Sequence, residues 1–184
     1  IEPIIMTGNS LAIMIGSIVT LLISLPIDPW LAFLESSGIG SIITIGSKMT
    51  NDIITIYLVV SLAYDMARLL KVNQLNAVLV SIVSFFIVTP MTEAMIGEKV
   101  IKVFTTTYLG SRGMFVGIIV ALLATYLFYL LAEKGPKIKM PASVPPAITA
   151  SFESLIPAIG VASFFILIGA LFSMTSYGDV HSAV

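Results

Sequence analysis

Residues 113–132 read "GMFVGIIVALLATYLFYLLA", twenty positions without a charged side chain. A helix rises about 1.5 Å per residue and the hydrocarbon core of a bilayer is about 30 Å thick, so this stretch is long enough to cross it. Four further runs of the same character lie on either side of it, at about 4–25, 53–70, 75–91 and 154–174. Each is continuously apolar rather than alternating, which excludes a β-barrel. The expected fold is all-α, a polytopic membrane helix bundle of about five transmembrane helices. A cytoplasmic amphipathic loop or helix at about 133–153 completes it.

Composition agrees. Of 184 residues 58% are hydrophobic and only 10% charged, with a mean hydropathy of +1.08, far from the balance of a soluble domain. Nine basic and ten acidic residues give a net charge of −1, so no basic field marks a nucleic-acid partner. Cysteine is absent, which removes disulfides, thiolate catalysis and thiolate metal sites. The opening "IEPIIMTGNS" carries no initiator Met and no basic stretch of a signal peptide. The close, "TSYGDVHSAV", is polar and has no terminating signature, and both ends suggest part of a longer chain.

Orientation rests on lysine and arginine in the short loops. With the amino-terminal end inside, Arg68, Lys71, Lys134, Lys137 and Lys139 are cytoplasmic, in two tight clusters. Lys48, Lys99, Lys102 and Arg112 are then outside, interspersed with acids. That arrangement is the expected one, and it puts 133–153 in the cytoplasm.

Small residues recur every fourth position in two spans: Gly8, Ala12, Gly16 and Thr20 in the first, and Gly113, Gly117, Ala121 and Thr125 in the fourth. In lipid, where packing rather than the hydrophobic effect drives helix association, such stripes let backbones approach closely. Spacing leaves open whether they pack within one chain or between protomers of a dimer.

Residues 138–157, "IKMPASVPPAITASFESLIP", interrupt the apolar pattern. Ser143 fits a helix N-cap, and Pro145 and Pro146 fit a first turn, where a missing N–H costs little. Val144, Ile148, Phe152 and Leu155 fall at helical spacing, which describes a short amphipathic, interfacial helix. Pro157 is expected to kink or restart the chain at the last span. Pro145, Pro146, Ser151 and Phe152 are the candidate loop or gating residues.

Asp65 and Arg68, three apart, share a helix face near the end of the second span, where snorkelling is the simpler explanation. His181, the single histidine, has no metal-ligand spacing or glycine cradle beside it and reads as a loop residue. No P-loop, nucleophile elbow, metal-ligand pair or paired catalytic carboxylates can be assembled. No catalytic or substrate-binding residue, metal or cofactor is therefore expected within these 184 residues.

"YLGSRGMFVGIIVALLATYLF" followed by "IKMPASVPPAITASFESLIPA" and "FSMTSYGDVHSAV" resembles the membrane component, enzyme IIC, of the bacterial phosphoenolpyruvate-dependent sugar phosphotransferase system. The likeness is to the lactose, cellobiose and diacetylchitobiose branch. "LPIDPW" and "SLAYDMARLLKVNQLNAVLVSIVSFFIVTP" fit the same family. The resemblance implies a homodimeric permease about twice this length, multi-pass in the bacterial cytoplasmic membrane. Its amino-terminal half is a five-span dimer scaffold with a long cytoplasmic loop between spans four and five. Sugar ligands lie in the carboxy-terminal half, so the family's substrate-contacting glutamate and histidine do not map onto Glu153 or His181. The implied activity is translocation of a β-linked disaccharide coupled to its phosphorylation by a separate phosphorylated IIB component. Two other classes compete: a structural or receptor-like multi-span module, and an ion-coupled secondary transporter. The latter should show buried acids in broken helices near the midplane, where this chain is apolar or small.

Overall fold

The structure, a computed structural model, describes residues 7–135 and 146–184, with side-chain surroundings for 13–135, 149 and 152–184. The five apolar runs are the helices α1 (Thr7–Ser24), α4 (Ile54–Leu69), α5 (Gln74–Val88), α7 (Met114–Lys134) and α8 (Pro146–Ser173). Between α1 and α4 lie two further helices, α2 (Asp28–Ser37) and α3 (Ile39–Asn51). Between α5 and α7 lies an antiparallel hairpin of β1 (Met91–Ile96) and β2 (Lys99–Phe104), followed by the short α6 (Thr106–Leu109) and a 3₁₀ turn at Ser111–Gly113.

A tight bundle of α4, α5, α7 and α8 forms the core, with α7 against the other three. Its interior is made of small and β-branched side chains: Val59, Ala63 and Ala67 of α4, Ala77 and Val80 of α5, Val120, Ala121 and Ala124 of α7, and Val161 of α8 are all buried. The rings of Phe85, Phe128 and Phe165 fill the wider gaps. Such a composition suits close packing, because dispersion between interdigitated atoms holds helices together where lipid offers no hydrophobic drive. Two buried hydroxyl contacts cross it: Thr55 donates to the Gly110 carbonyl at 2.6 Å, and Ser81 meets Thr125 at 3.2 Å.

Helix ends follow local chemistry. Asn73 caps α5, its side chain accepting from the Asn76 N–H at 3.0 Å. At the end of α4 the Val72 N–H donates to the Ala67 carbonyl and the Lys71 N–H to that of Arg68, a Schellman closure with Lys71 in the left-handed region at φ 58°. Pro26 ends α1 as expected, whereas Pro29 sits in the first turn of α2, where a proline fits. The chain turns by 103° between the two helices. Trp30 lies on α2, and its Nε1–H donates to the Leu22 carbonyl at 2.7 Å, satisfying a group that the end of α1 leaves free.

By length and composition, Ser111–Lys134 and Phe152–Ser173 are each able to cross a membrane; α1 with α2 makes a bent pair, and α5 is a shorter apolar helix. The last helix differs from expectation. It is one continuous element from Pro146, with Pro157 buried inside it rather than breaking it. A proline there removes only one main-chain hydrogen bond, which a helix packed against neighbours tolerates. The start of α8 at Pro146 agrees with the short helix expected from Pro145 and Pro146; what differs is that this helix and the last span, expected from about Ser154, are one element.

Candidate functional site

At one end of the bundle the α4–α5 turn meets the end of α7 and the start of α8. Lys71 and Asn73 from the turn, Asn76 from α5, Leu131 and Glu133 from α7, and Glu153 and Ser154 from α8 line a cleft of 230 Å³. Asn76 Nδ2 donates to Ser154 Oγ at 2.7 Å, tying α5 to α8 at its floor. One ammonium, two carboxylates and two amides so share a mouth where α7 ends and α8 begins. Of the loop residues singled out from sequence, Pro146 is the first residue of α8 and Phe152 is exposed on its surface. Ser151 lies in α8 with its side chain outside the described residues, as Pro145 is altogether.

The opposite end is built around the α6–α7 corner. Gly113 is buried where a Cβ would run into the Tyr108 carbonyl, and at Gly117 a Cβ would stand 2.6 Å from Thr55 Cγ2 and 3.2 Å from Val59 Cγ2. Ala121 is fully buried in the same row. Gly113 is therefore packed against α6 and Gly117 against α4 of the same chain. On α1, Gly16 lies against α3: a Cβ there would be 2.5 Å from Thr50 Oγ1. Thr20 and Ser47 hydroxyls lie 2.8 Å apart, and Asn51 Nδ2 donates to both. Gly8 and Ala12 belong to α1, with their surroundings outside the described residues.

His181, read from sequence as a loop residue, is enclosed at this same corner. Only 9% of it is exposed. Its ring centroid is 4.6 Å from that of Tyr108 and 5.8 Å from that of Phe85, edge-on, and Nε2 is 3.1 Å from Thr89 Oγ1. Burial pushes the imidazole below the usual histidine range, and the Asp179 carboxylate pulls weakly the other way. Nothing in the spacing of a lone histidine foretells this. The partners arrive from α5 and α6, 73 to 96 positions earlier.

Apolar space lies along α5 and α8. A cavity of 660 Å³ between them is lined by Val83, Phe86, Ile87, Phe104, Ile166 and Gly169, and a second of 310 Å³ continues it along Leu79, Val83 and Ile159. These walls are mostly apolar, with Thr89 and Ser173 the hydroxyl-bearing residues of the larger cavity, and so offer a sugar few polar partners. A polar pocket of 510 Å³ lies between Asn51, Asp52, Thr106, Ser111 and Arg112. Among the described residues no group of three or more His, Asp or Glu side chains could hold a metal ion.

Comparison with known proteins adds an independent line. The family model described as "Phosphotransferase system, EIIC" matches residues 6–183. The oligo-beta-mannoside-specific EIIC component of Bacillus subtilis (strain 168) is 30% identical over 177 residues, covering 92% of this chain and 39% of that protein. The cellobiose-specific EIIC component of Geobacillus stearothermophilus is 29% identical over 141 residues, 73% of this chain and 31% of its own length. Among solved structures, the transporter ChbC, the IIC component from the N,N'-diacetylchitobiose-specific phosphotransferase system, superposes with a TM-score of 0.86 at 30% identity, over 98% of this chain and 44% of that one. The chain thus spans about two fifths of the length of these relatives.

Proposed function

Because the chain belongs to the EIIC family of the phosphotransferase system, we propose that it forms the membrane scaffold of a sugar permease, serving uptake of a β-linked disaccharide of the cellobiose, diacetylchitobiose or lactose type. The observation that carries this reading is the superposition on ChbC over 98% of the chain. In this reading α1, α4, α5, α7 and α8 cross the bilayer with the amino-terminal end in the cytoplasm. The mixed-charge cleft at Lys71, Glu133 and Glu153 then faces the cytoplasm, as does the α7–α8 connection with Pro145 and Pro146, beside the place where a phosphorylated IIB component works. Sugar ligands belong to sequence beyond the scaffold, consistent with apolar walls in the α5–α8 groove. In this reading the scaffold pairs with a second copy, through faces other than the Gly113 and Gly117 stripe, which packs within the chain.

The test is a chimera. The matching segment of the oligo-beta-mannoside-specific EIIC component is replaced by this chain in a bacterial host deleted for that component but retaining its soluble partners. Accumulation of phosphorylated disaccharide is expected, at a reduced rate. A chimera that reaches the membrane, binds the sugar and yet neither transports nor supports its phosphorylation would sink the reading. The structural-module alternative predicts that failure.

A further inference from the structure

We propose that residues 174–184 form a pH-sensitive clasp: the neutral ring of His181, held among Phe85, Thr89 and Tyr108, fastens the segment after α8 to the bundle, and a proton on the ring releases it.

Proton counting carries the first step. Thr89 Oγ1 lies 2.7 Å from the Phe85 carbonyl, which can only accept, so the single hydroxyl proton is committed there. Toward His181 the same oxygen must then accept, and Nε2, at 3.1 Å, must be the nitrogen that carries hydrogen. In the neutral ring Nδ1 is left with its lone pair, and Nδ1 is a buried atom with no hydrogen-bond partner. A buried acceptor without a partner is a modest cost. An N–H⁺ in the same place is a buried charge with nothing to receive its proton, which is a far larger one. Binding a proton is therefore incompatible with the docked ring in a way that it is not once the ring reaches water.

The charged and titratable groups around the ring allow this. On its own segment Asp179 opposes the effect, but its carboxylate already accepts from the Ser182 N–H and hydroxyl, at 2.8 and 2.7 Å. From α6 the neighbour is the Tyr108 phenol ring. From α5 they are Phe85 and Thr89, and that helix contains no charged residue. The carbonyl end of α5 favours a cation and acts in the same sense as Asp179; desolvation outweighs Asp179. The segment has few other anchors. Met174 to Gly178 are exposed, and Val180 is its apolar contact with the core.

The sign follows from linkage. Above a pH of about 6.5, where the released ring is neutral, the clasp has its full strength. As pH falls further, only the released ring takes up a proton, so release grows by up to about tenfold per pH unit and levels off once pH passes below the docked ring's lowered value. The whole protein in lipid nanodiscs, labelled with ¹⁵N-imidazole histidine, is compared with its His181→Gln variant, and the imidazole signals lost in the variant are those of the single histidine of these 184 residues. Expected are the Nε2–H tautomer, a titration midpoint below 6.5, and amide protection factors for 180–184 that fall with acid over the same range. His181→Gln should give a pH-independent protection profile, at whatever level it settles. A midpoint at or above 6.5, the Nδ1–H tautomer, or an unchanged acid response in His181→Gln overturns the clasp.

Discussion

Gly113, just ahead of α7, and Gly160 of α8 show how a single Cβ is judged by what it would strike. At Gly113 the obstacle is the Tyr108 carbonyl, main-chain atoms that cannot swing aside. At Gly160 it is Leu131 Cδ1 at 2.7 Å, the far end of a flexible side chain, with the next atom at 4.0 Å. Gly113→Ala should therefore destabilise the bundle by about 1–3 kcal/mol, the usual range for forcing extra volume into a packed interior. Gly160→Ala should be near neutral, because the helix propensity gained, about 1 kcal/mol, offsets the shift of the leucine. Reversible unfolding in mixed micelles separates the two; equal losses would show that packing at the α6–α7 corner is looser than its geometry. The four-residue spacing of Gly113, Gly117 and Ala121 was legible as a packing stripe. Its partner was not, since Thr55 and Val59 stand more than fifty positions away and no local pattern ties them to it.

Among elements, long apolar helices were readable because hydrophobic run length is a strong signal, and α4, α5 and α7 lie where their runs predict. The connections were harder. "MTEAMIGEKVIKVF" mixes apolar and charged positions without clean alternation, so it passes for a loop, yet it pairs Met91 with Phe104 through Ile96 with Lys99. Gly97, at φ +62°, takes the first central place of the two-residue turn, where a primed geometry demands it. A two-stranded hairpin is marginal alone. Here the ring of Phe104 leans on Phe86 of α5, centroids 5.0 Å apart, and anchors its base. Gly97→Ala should weaken the hairpin by about 1 kcal/mol, seen as faster amide exchange across 91–104 with exchange of α5 and α7 unchanged. Faster exchange in the helices as well would mean that the hairpin is a structural part of the bundle. Similarly, "PIDPW" reads as a stop because proline ends helices, while Pro29 and Trp30 also begin the next one.

For the whole molecule the sidedness of the ends decides how the parts cooperate. The α4–α5 turn, the end of α7 and the start of α8 share one cleft, whereas the α5 end, α6 and the segment after α8 meet at His181. Consecutive helices of the core bundle therefore alternate direction, and fixing one end fixes the other. In the proposed orientation, which rests on the basic residues Arg68, Lys71 and Lys134 and the positive-inside tendency, the first end is the cytoplasmic one. With no native cysteine, single cysteines report this directly. Ser47 is a poor site, being tied to Thr20 and Asn51, but Lys134, Glu98 and Ser176 are exposed. Lys134→Cys should react with impermeant maleimide only in inverted vesicles, and Glu98→Cys and Ser176→Cys only in intact cells. Labelling of Lys134→Cys and Ser176→Cys from the same side would break the spanning of α8 and with it the scaffold model. A clean reversal of all three would instead keep the bundle and turn it over, moving the Lys71 cleft away from any cytoplasmic phosphate donor.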